Sequence, residues 1–119
     1  LEAAIDETAA RSAIPVTVYS SIPGKLPDHV EQAAYFVISE SLVNANKHSG
    51  ATTIDLITAV QDGWLYVTIT DDGTGGASTA KGHGLAGLVE RLNGVDGRLF
   101  ITSPTGGPTT LEARIPCAF

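Results

Sequence analysis

The sequence predicts an α+β fold, a two-layer sandwich with a mixed, mostly antiparallel sheet and helices on one face. Three observations predict it. Two pairs of β-branched and apolar runs are separated by tight turn signals, Gln61-Asp62-Gly63 and Gly106-Gly107-Pro108. Two other stretches keep a helical stripe of apolar residues. The order is helix, strand, long helix, hairpin, glycine loop, helix, hairpin, and strands joined by tight hairpins favour an antiparallel layer with segregated helices.

Residues 1–13 are expected to be helical, with Leu1, Ala4, Ile5, Thr8 and Ala9 near helical spacing and Pro15 as the stop. Val16, Val18 and Tyr19 suggest a short strand, followed by a turn over 20–25. The long helix is expected from Asp28, as N-cap with Glu31 in a capping box, to about His48, where Ser49-Gly50 ends it. Runs 52–60 and 63–71 form the first hairpin. Residues 73–84 are a loop with five glycines. They open a helix in which Leu85, Leu88, Val89 and Leu92 keep an i, i+3, i+4, i+7 stripe, stopped by Asn93-Gly94. Strands near 98–103 and 109–115 close the chain.

At 119 residues there is room for one domain and not for two. With 43% hydrophobic residues a real core can form, which argues against disorder. Thirteen acidic residues against seven basic ones give a formal charge of −6. That sign argues against nucleic acid or an anionic membrane as partner. Phosphate would have to be held by local geometry, backbone dipoles or a metal ion. The single cysteine, Cys117, excludes an internal disulfide. No apolar run approaches the roughly 18 residues of a membrane span. The absence of any methionine points to a domain cut from a longer chain.

Three clusters carry candidate chemistry. In 40–48, at about 100° per residue, Glu40, Asn44 and Lys47 fall within roughly 60° of one another. Ala34, Ile38, Leu42 and Ala45 take the face expected against the sheet. An acid, an amide oxygen and an ammonium so arranged suit Mg²⁺ and a phosphate; a solvated helix face with i, i+4 pairs is the plainer reading. In Asp71-Asp72-Gly73-Thr74-Gly75, strand alternation puts Asp71 on the face of Leu65, Val67 and Ile69, at the rim of the core. A carboxylate there needs a partner, and an exocyclic amine on a ligand is one; a strand-end Asp-Gly turn is the alternative. Gly82-His83-Gly84-Leu85 runs into a helix whose N-terminal N–H groups favour an anion. Walker A spacing is absent and the context is not that of a dinucleotide fold.

In this order, acid/amide helix, Asp-x-Gly-x-Gly, glycine loop opening a helix, the sequence resembles the ATP-binding domain of two-component sensor histidine kinases, in the GHKL superfamily (the Bergerat fold). The resemblance covers roughly 14–115. Residues 40–48 resemble the N box, 71–75 the first glycine box and 82–88 the second. The Lys47-His48 ending and the G-x-G-L-x-G-L form of 82–88 are most similar to the kinases that pair with LuxR-type response regulators.

The resemblance implies a role for each matched position. Asp71 would accept the adenine amino group, and Gly73 and Gly75 would shape the pocket. Asn44 would coordinate Mg²⁺, with Glu40 holding the metal or its water. Lys47 would meet the phosphates, and His48 the ribose or phosphates. Gly82, His83, Gly84 and Leu85 would cover the triphosphate under a lid over 76–81. Lys81, the lid's cation, would reach a phosphate or stay a surface lysine. The phosphoacceptor histidine of the family lies on an upstream helical dimerisation domain, from which 1–13 would continue; His29, His48 and His83 do not match it. The implied function is therefore to bind Mg-ATP and supply its γ-phosphoryl group to that separate domain, without autophosphorylation of this chain. The implied partners are that domain and, through the parent, a response regulator. The expected setting is a cytoplasmic, monomeric piece of a parent that is itself soluble or membrane-anchored. Competing readings are a serine kinase of the anti-sigma type, an ATPase using Glu40 to activate water, and a degenerate interaction module.

Overall fold

The structure, a computed structural model, describes residues 2–73, 85–104 and 106–117. Strands β1 (Val16–Ser21), β2 (Ile54–Gln61), β3 (Trp64–Asp71), β4 (Arg98–Thr102) and β5 (Thr109–Pro116) form one sheet in the order β1-β2-β3-β5-β4. The pair β1/β2 is parallel and every other pair antiparallel, the mixed sheet that the hairpin signals imply. Asp62 and Gly63 turn β2 into β3 with φ of 53° and 80°. Positive φ at both central residues matches the twist of the flanking strands, and Gly63 adopts it without a Cβ clash.

Helices α1 (Glu2–Ala10), α2 (Asp28–Asn44) and α3 (Leu85–Asn93) supply the second layer. Strict alternation buries Leu65, Val67 and Ile69 of β3 and Leu111, Ala113 and Ile115 of β5 on one side of the sheet. Against that side pack Val30, Ala34, Ile38 and Leu42 of α2, Leu88 and Leu92 of α3, and Ile5 of α1. The opposite side stays open to solvent at Tyr19, Ile57 and Phe100. There the Arg114 guanidinium lies 4.3 Å from the Phe100 ring centroid and bonds Glu112 at 2.8 Å. Its stem and charge thus shelter an aromatic ring that no helix covers.

Three details at element ends differ from the expectation, two of them because a side chain captures backbone amides. The first helix ends at Ala10 rather than near residue 13: the Ala13 and Ile14 amides donate to the Asn46 Oδ1 at 3.0 and 3.2 Å. Asp28 does not cap α2. Pro27 holds the N-cap position without a side-chain bond, and its carbonyl accepts the Val30 and Glu31 amides. The Asp28 carboxylate instead takes the Lys25 ammonium at 3.2 Å, and Glu31 lies 3.6 Å from the same nitrogen. β2 begins at Ile54 because the Thr52 and Thr53 amides are drawn to Asp72.

The long helix does reach Ser49, but through a change of winding. After Asn44 the backbone passes into a π turn over Ala45–Ser49, closed by Gly50 in the left-handed region at φ 65°. Such i→i+5 turns are rare and concentrate at functional sites.

Candidate functional site

Asp71 ends β3 on its buried side. In the register it stands between Ile54 of β2 and Thr109 of β5, and it is 6% exposed. The Gly73 amide donates to its Oδ1 at 2.9 Å. Burial pushes the carboxyl above the usual carboxylate range, the Gly73 amide opposes that, and the charge of Asp72 adds to it. Among the described residues this is its one hydrogen bond, and one backbone amide leaves most of the acceptor capacity of a carboxylate unused. A buried acceptor with open lone pairs at the mouth of a core suits a ligand that donates a hydrogen bond.

Thr109 is the group that sequence reasoning missed. It is 7% exposed, directly across from Asp71, and its Oγ1 lies 2.6 Å from the Ser103 Oγ. The signal was there: position 109 begins the alternation that buries Leu111, Ala113 and Ile115. Asp72, one residue on, faces outward and performs a different task. It accepts from the Thr52 amide at 2.7 Å, the Thr53 amide at 3.0 Å and the Thr52 hydroxyl. These bonds hold its carboxyl down to about 2, and they tie the end of β3 to the link between the π turn and β2. The C-terminal end of α2 is thereby held beside the end of β3.

On α2, Glu40 and Asn44 are both half-buried, at the edge of the face that covers the sheet. The Asn44 Nδ2 is buried with no hydrogen-bond partner among the described residues. A buried amide without a partner is costly, and either of its ends can turn toward an incoming group. Lys47 is exposed and lines the groove between α1 and α2, with Arg11, Tyr35 and Val43 among its neighbours. The π turn winds the helix more slowly past Asn44, so Lys47 is carried toward α1 relative to the face that straight helical spacing assigns it. His48 falls within the same turn, its side chain outside the described part. Gly73 is buried beside Asp71. Leu85 opens α3, its side chain also outside the described part. Gly75, Lys81, Gly82, His83, Gly84 and the lid over 76–81 lie outside the described residues.

Among the described residues no three His, Cys, Asp or Glu side chains gather as a metal site. Glu40 and Asn44 offer hard oxygen atoms, and the Asn44 Nδ2 has no hydrogen-bond partner among the described residues. That composition fits Mg²⁺, which retains waters and takes few protein ligands alongside substrate phosphates.

No family model matches the chain. Curated relatives do. The chain is 34% identical over 95 residues to the signal transduction histidine-protein kinase/phosphatase DegS of Brevibacillus brevis, covering 77% of this chain and 25% of that protein. It is 31% identical over 123 residues to the sensor histidine kinase MctS of Rhizobium johnstonii, covering 98% of this chain and 26% of the relative. The chain therefore spans about a quarter of the length of the relatives it matches. Among solved structures, the histidine kinase domain of the Erythrobacter litoralis EL346 blue-light activated histidine kinase superposes with a TM-score of 0.76 at 27% identity, over 96% of this chain and 56% of that one.

Proposed function

The chain belongs to the sensor histidine kinase family, and from that premise we propose that it binds Mg-ATP and presents the γ-phosphoryl group to a histidine on a separate dimerisation domain. The observation that carries the reading is Asp71, a buried carboxylate that, among the described residues, is held by one backbone amide alone. In this reading its vacant lone pairs accept the exocyclic amine of adenine. Gly73 fixes the carboxylate rotamer and, with Gly75, lets backbone approach the base. Asn44 coordinates Mg²⁺ through its amide oxygen, and Glu40, one turn earlier, holds the metal or its water. Lys47, His48 and Lys81 meet the phosphates or ribose, and Gly82, His83, Gly84 and Leu85 close over them. The nucleotide, when bound, supplies the phosphoryl group and the metal spreads its charge. What this chain contributes is position.

The acceptor histidine and the response regulator belong to the remainder of such a kinase, here one that pairs with LuxR-type regulators. In this reading the chain acts as a cytoplasmic monomer. No described helix is long and apolar enough to cross a membrane.

Thermal unfolding with ATP or ADP, with and without Mg²⁺, tests the binding. Ligand at about 100 times its Kd adds roughly 2.7 kcal/mol. Asp71→Asn removes most of that gain while the apo fold persists. A gain that survives Asp71→Asn unchanged rules out the adenine contact. Labelled ATP, this chain and the parent's dimerisation domain should together yield an acid-labile phosphohistidine; an acid-stable product would point to a serine kinase instead.

A further inference from the structure

Asn46 is exposed, yet its amide is fully committed. Its Oδ1 accepts the Ala13 and Ile14 amides, and its Nδ2 donates to the Ser12 Oγ at 2.9 Å and to the Leu42 carbonyl at 2.8 Å. An asparagine amide has two acceptor and two donor positions, and all are used. An exposed asparagine ordinarily spends these bonds on water. Here three of the four reach back to the link between α1 and β1, 32 to 34 residues earlier in the chain. The fourth grips the last turn of α2, four residues back. Asn46 is the second residue of the π turn and stands two residues after Asn44, whose own amide nitrogen finds no partner among the described residues.

We propose that Asn46 is a positioning residue. It clamps the α1–β1 link to the π turn and so holds Asn44 where it can coordinate the metal, coupling that link to Mg-nucleotide binding. The proposal rests on the Mg-ATP reading of the site and assigns a role to a residue that does not touch the nucleotide. A change of winding directly after a metal-binding side chain leaves its direction to the next turn, and the clamp fixes that turn. Coupling is reciprocal: whatever Mg-nucleotide gains from an ordered turn, the link gains in protection when Mg-nucleotide binds.

The experiment uses the whole chain and measures ATP affinity by titration calorimetry, with Mg²⁺ and with the metal chelated. Removing a partner that orients a metal ligand typically weakens metal binding about 10–100-fold. Asn46→Ala should therefore lose that much of the Mg-dependent gain in affinity, while the metal-free affinity, set by Asp71, is retained. Ser12→Ala, which removes one bond of the clamp, should shift the same ratio less. A plain structural clip would lower thermal stability and leave the ratio of the two affinities at its wild-type value, which would overturn the proposal. If Asn46→Ala does not fold, hydrogen exchange on the wild type decides. Mg-ATP should slow exchange of the Ala13 and Ile14 amides more than metal-free ATP does, and equal protection overturns the coupling. A wild-type chain that binds no nucleotide in either condition defeats the Mg-ATP reading itself, which is a separate result from an unchanged ratio.

Discussion

Adjacent aspartates at the end of β3 have opposite electrostatic fates because a strand turns successive side chains to opposite faces. Asp72 points outward into donors from Thr52 and Thr53, and its carboxyl falls from 3.8 to about 2. A folded value below the unfolded one means that Asp72 stabilises the fold above the unfolded value. That contribution disappears as pH falls from about 3.8 through about 2. Asp72→Ala should therefore lower Tm at neutral pH and flatten this part of the acid unfolding profile. Asp71 has the reverse sign. Burial raises its carboxyl above 3.8, so ionisation works against the fold: the penalty is absent below 3.8 and complete once pH exceeds the raised folded value. Asp71→Asn keeps the size and an acceptor for the Gly73 amide. It should leave the apo Tm equal or higher at neutral pH, and the difference should vanish on acidification below the ordinary carboxylate value. A buried carboxylate whose ionisation works against the apo fold is a candidate for a ligand-binding role.

Among the elements, the junction of α3 and β4 shows how tightly the two layers meet. The Gly97 amide donates to the Leu92 carbonyl at 2.7 Å. A Cβ at residue 97 would stand 3.0 Å from the Arg114 carbonyl and 3.1 Å from the Leu92 Cδ2. One of these contacts is backbone of the neighbouring strand and cannot swing aside. Gly97→Ala should destabilise by about 1–3 kcal/mol, measured as a shift of the urea midpoint at constant slope. The capping box at Asp28 failed for a related reason: Lys25, three residues upstream, offered the carboxylate a charged partner that a bare helix terminus does not. The same competition shortened α1 and β2, whose end residues lost their amides to Asn46 and Asp72.

Over the whole molecule, a single apolar layer joins all three helices to the sheet. Leu88 is fully buried on α3, which packs against both α2 and β4. Leu88→Ala should cost about 2–5 kcal/mol through the lost burial and the cavity left behind, and denaturant unfolding should remain one cooperative transition. That layer was legible in advance. The i, i+3, i+4 stripes of 85–92 and the alternation of 65–69 are local periodicities, and the side that each element buries follows from its own pitch. Asp71 was legible for the same reason, as the next inward position after Ile69.

The motif order and the inward alternation are written along the chain, so residues alone were enough to read the family resemblance, the mixed sheet and the buried acid. What folding added lies between segments far apart in sequence. Asn46 meets Ser12 across 34 residues, Asp72 meets Thr52 across 20, and Thr109 faces Asp71 from another hairpin. No periodicity encodes such meetings, because the packing of helix on sheet sets their separation. The direction of Lys47 was likewise open until the helix changed its winding after Asn44: a π turn arises from bonds made around it, and the sequence of a helix does not announce it.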